Sequence, residues 1–214
     1  KKMKNSQYEQ RSYTFEMRAE ENEERMGVIT GRPIIYNSMT DLGCFQEIIE
    51  PDALKETNLE DVRFLVNHDT NMVPLARSRR NNRNSTMQLM PDKEGLFIRV
   101  NLDIEENTEA RNLYSAIKRG DISGMSFMFS IQSEEWEGLE SDYPTRHITG
   151  IDRVAEVSAV TFPAYEATTI SARCKGALEN ARSALDNARS GGQTLDNVSR
   201  DLEVEQLKAK YLYG

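Results

Sequence analysis

The chain has 214 residues, 38% hydrophobic, 29% charged and 7% aromatic, with a formal net charge of -8 and a mean hydropathy of -0.65. That length accommodates one ordinary domain with appendages, or two small ones. No apolar run reaches the roughly 18 residues that cross a membrane, residues 1–11 hold no apolar stretch of the signal-peptide kind, and the acidic balance disfavours a protein that coats nucleic acid.

In chain order, Ser12–Met17 and Met26–Ile35 have strand composition and flank the acidic stretch AEENEER, which reads as an exposed hairpin loop. Cys44 and Cys174 are too few for a disulfide framework and lack CxxC spacing, which points to a reducing compartment and away from a structural zinc site. Pro51-Asp52-Ala53-Leu54 reads as the start of a short helix, and Val62–His68 as a strand. Met87–Met90 and Leu96–Leu102 flank Pro91-Asp92-Lys93-Glu94-Gly95, a second hairpin signal. Next comes one clear helix: Asn107 or Thr108 caps it, Ala110, Leu113, Tyr114 and Ile117 form its apolar stripe, and Lys118-Arg119-Gly120 ends it. Met125–Gln132 and Val154–Phe162 complete a set of at least seven strands. Many strands with few helices give an α+β, mainly β, domain or a small barrel.

Composition changes near Cys174. All six prolines, all seven phenylalanines and Trp136 lie before it, whereas 175–214 carries six positive and six negative residues, so the whole -8 belongs to 1–174. The reading is a domain over 1–174 followed by a helical tail over 175–214. In that tail Leu178, Ala181, Leu185 and Ala188 follow a 3-4-3 spacing that Leu195, Val198 and Leu202 resume after Gly191-Gly192. Such helices either pack on the domain or serve as a partner-binding arm.

Few residues are candidates for chemistry. His68 and His147 are the only histidines. Strand alternation puts His68 on the face of Val62, Phe64 and Val66, where it serves either as a core histidine or as a base. Ser126 follows the glycine-rich turn Gly120–Gly124 just where a strand begins, so it is either an ordinary turn serine or a nucleophile beside exposed backbone amides. Glu156 alternates with Val154, Ser158, Val160 and Phe162, and a carboxylate on such a face needs a partner. A histidine, an acid and a serine together match the base, orienting group and nucleophile of a triad, which is recognised by role and not by chain order. Arg77, Arg79, Arg80 and Arg83 read as a solvated loop. There is no P-loop, GxGxxG or HExxH.

Five stretches in order carry a family resemblance: GRPIIYNSMTDLGCFQEIIEPDAL, FLVNHDTNMVPLARS, DKEGLFIRVNL, NTEARNLYSAIKRGDISGMSFMFSI and IDRVAEVSAVTFPAYEATTI. Together, over roughly residues 10–172, the chain resembles the prohead maturation proteases of tailed bacteriophages, themselves distantly similar to the herpesvirus assemblin serine proteases. The resemblance implies a herpesvirus-protease-like β-barrel with surrounding helices. It assigns His68 as general base, Ser126 as nucleophile and Glu156 as third member, with His147 as the rival for that last role because herpesvirus relatives use a second histidine. Ala76 departs from the family, which usually has glycine after Pro-Leu. The implied activity is a serine endopeptidase inside the immature prohead, in the host cytoplasm, cleaving scaffold or the N-terminal segment of the major capsid protein and also itself. The resemblance implies no metal or cofactor, nucleic acid or membrane, and leaves room for a homo-oligomer and for a scaffold- or capsid-binding tail. The alternative on the same fold is a non-catalytic assembly or scaffolding protein.

Overall fold

A computed structural model of the chain describes residues 8–14, 17–21, 26–162 and 174–189. Among these, eleven strands form two sheets. The larger contains β1 (Glu9–Thr14), β4 (Thr40–Asp41), β5 (Gln46–Ile49), β6 (Arg63–Val66), β7 (Ala76–Arg77), β10 (Gly124–Glu137) and β11 (Thr145–Val160). The smaller runs β2 (Arg18–Glu21), β3 (Gly27–Ile35), β9 (Gly95–Leu102) and β8 (Met87–Asp92), in that spatial order. The mainly β class expected from the sequence is what forms. The barrel is not: the described strands make two separate ladders that do not close on each other.

The long strand β11 organises the larger sheet. It pairs antiparallel with β10 along one edge; along the other it pairs parallel with β5 near Thr145–Ile148 and with β6 near Glu156–Ala159. Repeated register shifts in the β10–β11 ladder between Met128 and Glu134 let two such long strands bend over the core. Among the described strands β1 is an edge, pairing with β10, with Ser12 opposite Ser126.

The smaller sheet is pinned at Gly95, whose φ of +142° and missing Cβ are both required: a Cβ there would lie 2.0 Å from the Ile34 carbonyl oxygen. The β3–β9 register shifts between Gly31 and Ile34, where Pro33 has no N–H to give to the ladder. Apolar residues of the two sheets, among them Ile29, Ile98, Val100, Met125, Phe127 and Val157, join one core. Helix α1 (Thr108–Arg119) adds Ala110, Leu113, Tyr114 and Ile117 to that core, the stripe read from the sequence. Its caps also match: Asn107 accepts from the Glu109 and Ala110 amides, and Gly120 adopts a left-handed φ of 82°. The chain then runs directly into β10, so the helix end positions Ser126.

Four local expectations need correction. Residues 12–14 belong to β1 in the larger sheet, and the hairpin with β3 is instead made by β2, where Arg18 and Glu20 face solvent and Ala19 packs inward. Local alternation cannot tell which sheet a short strand joins. Pro51 opens no helix: residues 51–56 form consecutive turns, with Asp52 at φ 70° breaking any helical run. His68 lies beyond β6 in a turn where Asn67 and His68 both have positive φ, 50° and 58°, so strand alternation does not aim its ring. Cys44 and Cys174 are disulfide-bonded, with Cα atoms 6.4 Å apart across 130 residues of sequence. That pairing removes the basis for inferring a reducing compartment from them, and spacing could not reveal it because the proximity is tertiary.

Helix α2 is described over 174–189 and includes Cys174. The disulfide joins a small cluster of Leu42, Phe45, Trp136, Ala177 and Leu178, and Phe45 meets the edge of Trp136 at 4.8 Å. Arg182 donates to the carbonyls of Leu139 and Ser141. α2 is thus packed against Leu42, Phe45, Trp136 and the Leu139 and Ser141 carbonyls. Leu195, Val198 and Leu202 lie outside the described residues.

Candidate active site

Three neighbouring strands of the larger sheet place a line of short polar side chains: Ser12 on β1, Ser126 on β10 and Ser158 on β11, in direct register. Glu156 precedes Ser158 by two residues and therefore shares its face. The Asn67–His68 turn at the end of β6 brings the imidazole onto these side chains. Three contacts clamp that turn to the end of β11: the Asn67 amide donates to the Ala159 carbonyl, the His68 amide to Ser158 Oγ at 3.2 Å, and the Thr161 amide to Asn67 Oδ1. Asparagine tolerates left-handed backbone better than most residues.

The result is a chain of hydrogen bonds. His68 Nδ1 lies 2.5 Å from Glu156 Oε1, and His68 Nε2 lies 2.6 Å from Ser126 Oγ. A carboxylate only accepts, so Nδ1 carries the proton and Nε2 offers its lone pair to the serine. Ser158 Oγ donates to the other carboxylate oxygen at 2.5 Å, fixing the plane of Glu156. The site is nearly sealed, with side-chain exposures of 12% for His68 and 5% for Glu156 and none for Ser126. In a dry site of this kind, charge–dipole interactions are stronger than in water.

Ser126 Oγ has two further neighbours, both on β1. The Arg11 carbonyl oxygen, at 2.7 Å, competes with His68 Nε2 for its single hydroxyl proton, and Ser12 Oγ donates to it at 2.8 Å. Arg11 anchors β1 through its side chain, whose guanidinium makes a two-pronged contact with the buried Glu47 at 2.5 and 2.7 Å. Arg146 bridges Glu47, Glu9 and Glu134 from β11. Burial alone would raise the Glu9 pKa, but the Arg11 and Arg146 guanidiniums outweigh it and hold the carboxyl below its usual range. Burial likewise opposes the charge on Arg146, and its surrounding carboxylates overcome that and raise its pKa.

The structure therefore brings His68, Ser126 and Glu156 together. It places His147 elsewhere, third in β11, with Nδ1 2.6 Å from Glu50 and Nε2 3.4 Å from Glu137. Nine residues of strand separate it from Glu156, about 30 Å at 3.3 Å per residue. Ala76 sits in β7 opposite Phe64, away from any loop apex. Arg77, Arg79, Arg80 and Arg83 are exposed, and Arg77 pairs with Asp61. Phe162, expected on the Glu156 face, lies past the strand end and is 73% exposed. Sequence reasoning gave no role to Ser158, Ser12 or Asn67; the only signal was that Ser158 alternates with Glu156. Among the described residues, no three His, Cys, Asp or Glu side chains are grouped to hold a metal ion.

No curated protein matches the chain. Among solved structures, the capsid assembly protease gp21 of bacteriophage T4 is similar at 13% identity and a TM-score of 0.42, over 72% of this chain and 97% of that one. Residues 13–182 match the family described as caudovirus prohead serine protease. Because that match spans most of the sequence and runs through both the strands that carry the serine chain and the first turns of α2, the protein belongs to the caudovirus prohead serine protease family.

Proposed function

We propose that the chain is a serine endopeptidase of prohead maturation, with Ser126 as nucleophile, His68 as general base and Glu156 as the orienting carboxylate. The observation that carries this reading is the single imidazole held between Glu156 and Ser126 by 2.5 and 2.6 Å contacts. Ser126 Oγ attacks a peptide carbonyl carbon while His68 Nε2 takes the hydroxyl proton; the imidazolium is balanced by Glu156. Collapse of the tetrahedral adduct breaks the C–N bond, with His68 returning the proton to the leaving amine and Ser126 retaining the acyl group as an ester. Water then adds to the ester, giving its proton to His68, and the serine is released with its hydroxyl restored.

The substrates on this reading are the scaffold and the N-terminal segment of the major capsid protein, with self-cleavage besides, inside the immature prohead. The division into a 1–174 protease domain and a 175–214 arm for scaffold or capsid protein is part of the same proposal. Serine-directed phosphonate labelling of the co-expressed, assembling system tests the nucleophile. The adduct is expected on Ser126 and absent in Ser126→Ala. An unlabelled wild type in assembling proheads would favour the non-catalytic scaffold role.

A further inference from the structure

β1 occupies the position that an extended peptide would need. Among the described residues it is an edge strand whose backbone ladder is with β10, it runs antiparallel past Ser126, and the carbonyl oxygen of Arg11 lies 2.7 Å from Ser126 Oγ. Peptide recognition at a sheet edge uses the same ladder: backbone hydrogen bonds give affinity, and pockets for alternate side chains give specificity. In the docked state the Arg11 carbonyl oxygen draws the Ser126 proton away from His68 Nε2. β1 thus covers the nucleophile without being cut, which accounts for the complete burial of Ser126.

The residue whose carbonyl meets the nucleophile has its side chain in a built acidic subsite. Glu47, 1% exposed, grips the Arg11 guanidinium with both oxygens, and Phe129 supports that guanidinium with its ring centroid 5.7 Å away. When β1 departs it takes Glu9 and Arg11 with it. What remains is Glu47 and Glu134 against a single guanidinium, Arg146, whose contact to Glu47 is a lone 3.3 Å bond. A buried carboxylate stripped of its forked partner favours any ligand that restores a cation.

We infer that the β10 edge is the substrate strand site, that β1 is its built-in occupant, and that Glu47 selects a basic residue on the acyl side of the scissile bond. This rests on the reading of Ser126 as nucleophile and deepens it: the substrate class is an extended peptide with arginine or lysine immediately before the cleaved bond. Arg11-Ser12 is itself such a sequence.

The test uses the full chain and a quenched fluorescent peptide of residues 7–16, QYEQRSYTFE, with arginine or its neutral isostere citrulline at the position of Arg11. Wild type should cleave after arginine, with kcat/KM for citrulline lower by about 30-fold or more, the usual consequence of removing one partner of a buried charge pair. Glu47→Gln should bring the two peptides within about threefold of each other. Arg11→Ala, which loosens β1, should speed both cleavage of the arginine peptide and phosphonate labelling of Ser126. Equal wild-type rates for the two peptides overturn the subsite even if Glu47→Gln does not fold, as does an undiminished preference in a folded Glu47→Gln. Phosphonate-labelled Ser126 with no cleavage of the arginine peptide by wild type or Arg11→Ala overturns the subsite while leaving the nucleophile standing. An unlabelled Ser126 in every sample overturns both.

Discussion

Replacing Glu156 by glutamine keeps its volume but leaves its neighbours no satisfactory arrangement. The carboxylate accepts from His68 Nδ1 on one oxygen and from Ser158 Oγ on the other, in a site where its side chain is 5% exposed. If the amide oxygen faces His68, the amide NH2 faces Ser158, whose hydroxyl already accepts from the His68 backbone amide. The Ser158 hydrogen then has no acceptor, a loss of about 1 to 3 kcal/mol for a buried group. If the amide flips, it donates to Nδ1 and forces the proton onto Nε2, so the imidazole cannot accept from Ser126. In both arrangements the imidazolium formed during attack loses its balancing charge. Turnover should fall by about 10³- to 10⁴-fold, equivalent to about 4 to 5.5 kcal/mol of barrier. His147, bonded to Glu50 and remote from Ser126, should change it less than about threefold as His147→Ala. The assay is the rate of capsid-protein cleavage in co-expressing cells, read by mass against time. A Glu156→Gln enzyme within tenfold of wild type, or a larger loss in His147→Ala, would refute the assignment.

Two further outcomes bear on the frame around the site. The Cys44–Cys174 bond closes a loop of 130 residues, so reduction should cost up to about 4 to 5 kcal/mol in the chain-entropy estimate; a melting temperature unchanged by reductant would remove that constraint. Protease susceptibility should then appear first in α2. Glu9 has its pKa lowered in the folded protein, so its contribution is complete above the unfolded value of 4.5 and is lost as pH falls through the lowered folded value. Amide exchange in β1 should therefore accelerate relative to the core at acid pH, and Glu9→Gln should remove that pH dependence. Equal acceleration in the variant would show that other groups hold β1.

What could be read from the sequence was whatever depends on near neighbours. Asn107, the Ala110–Ile117 stripe and Gly120 define α1 within fourteen residues, and Pro91–Gly95 marks the β8–β9 hairpin in the same way. Tertiary partners decided the rest. β11 starts at Thr145, nine residues before the strand expected from Val154, because β10 pairs along its length. β1 and β2 are only three residues apart in the chain but join different sheets. His68, Ser126 and Glu156 were identified by motif resemblance; the alternation argument for His68 failed because two residues with positive φ, Asn67 and His68 itself, aim the ring. Ser12 and Ser158 were not recognisable, since their roles arise only from register across three strands.

The central claim is that Ser126 cuts peptide bonds in the assembling prohead. Intact mass spectrometry of the capsid protein, the scaffold and this chain, co-expressed with either wild type or Ser126→Ala, tests it most directly. The account predicts truncated capsid or scaffold masses with wild type and full-length masses with Ser126→Ala at equal expression. Full-length masses in both, or identical truncation in both, would contradict it.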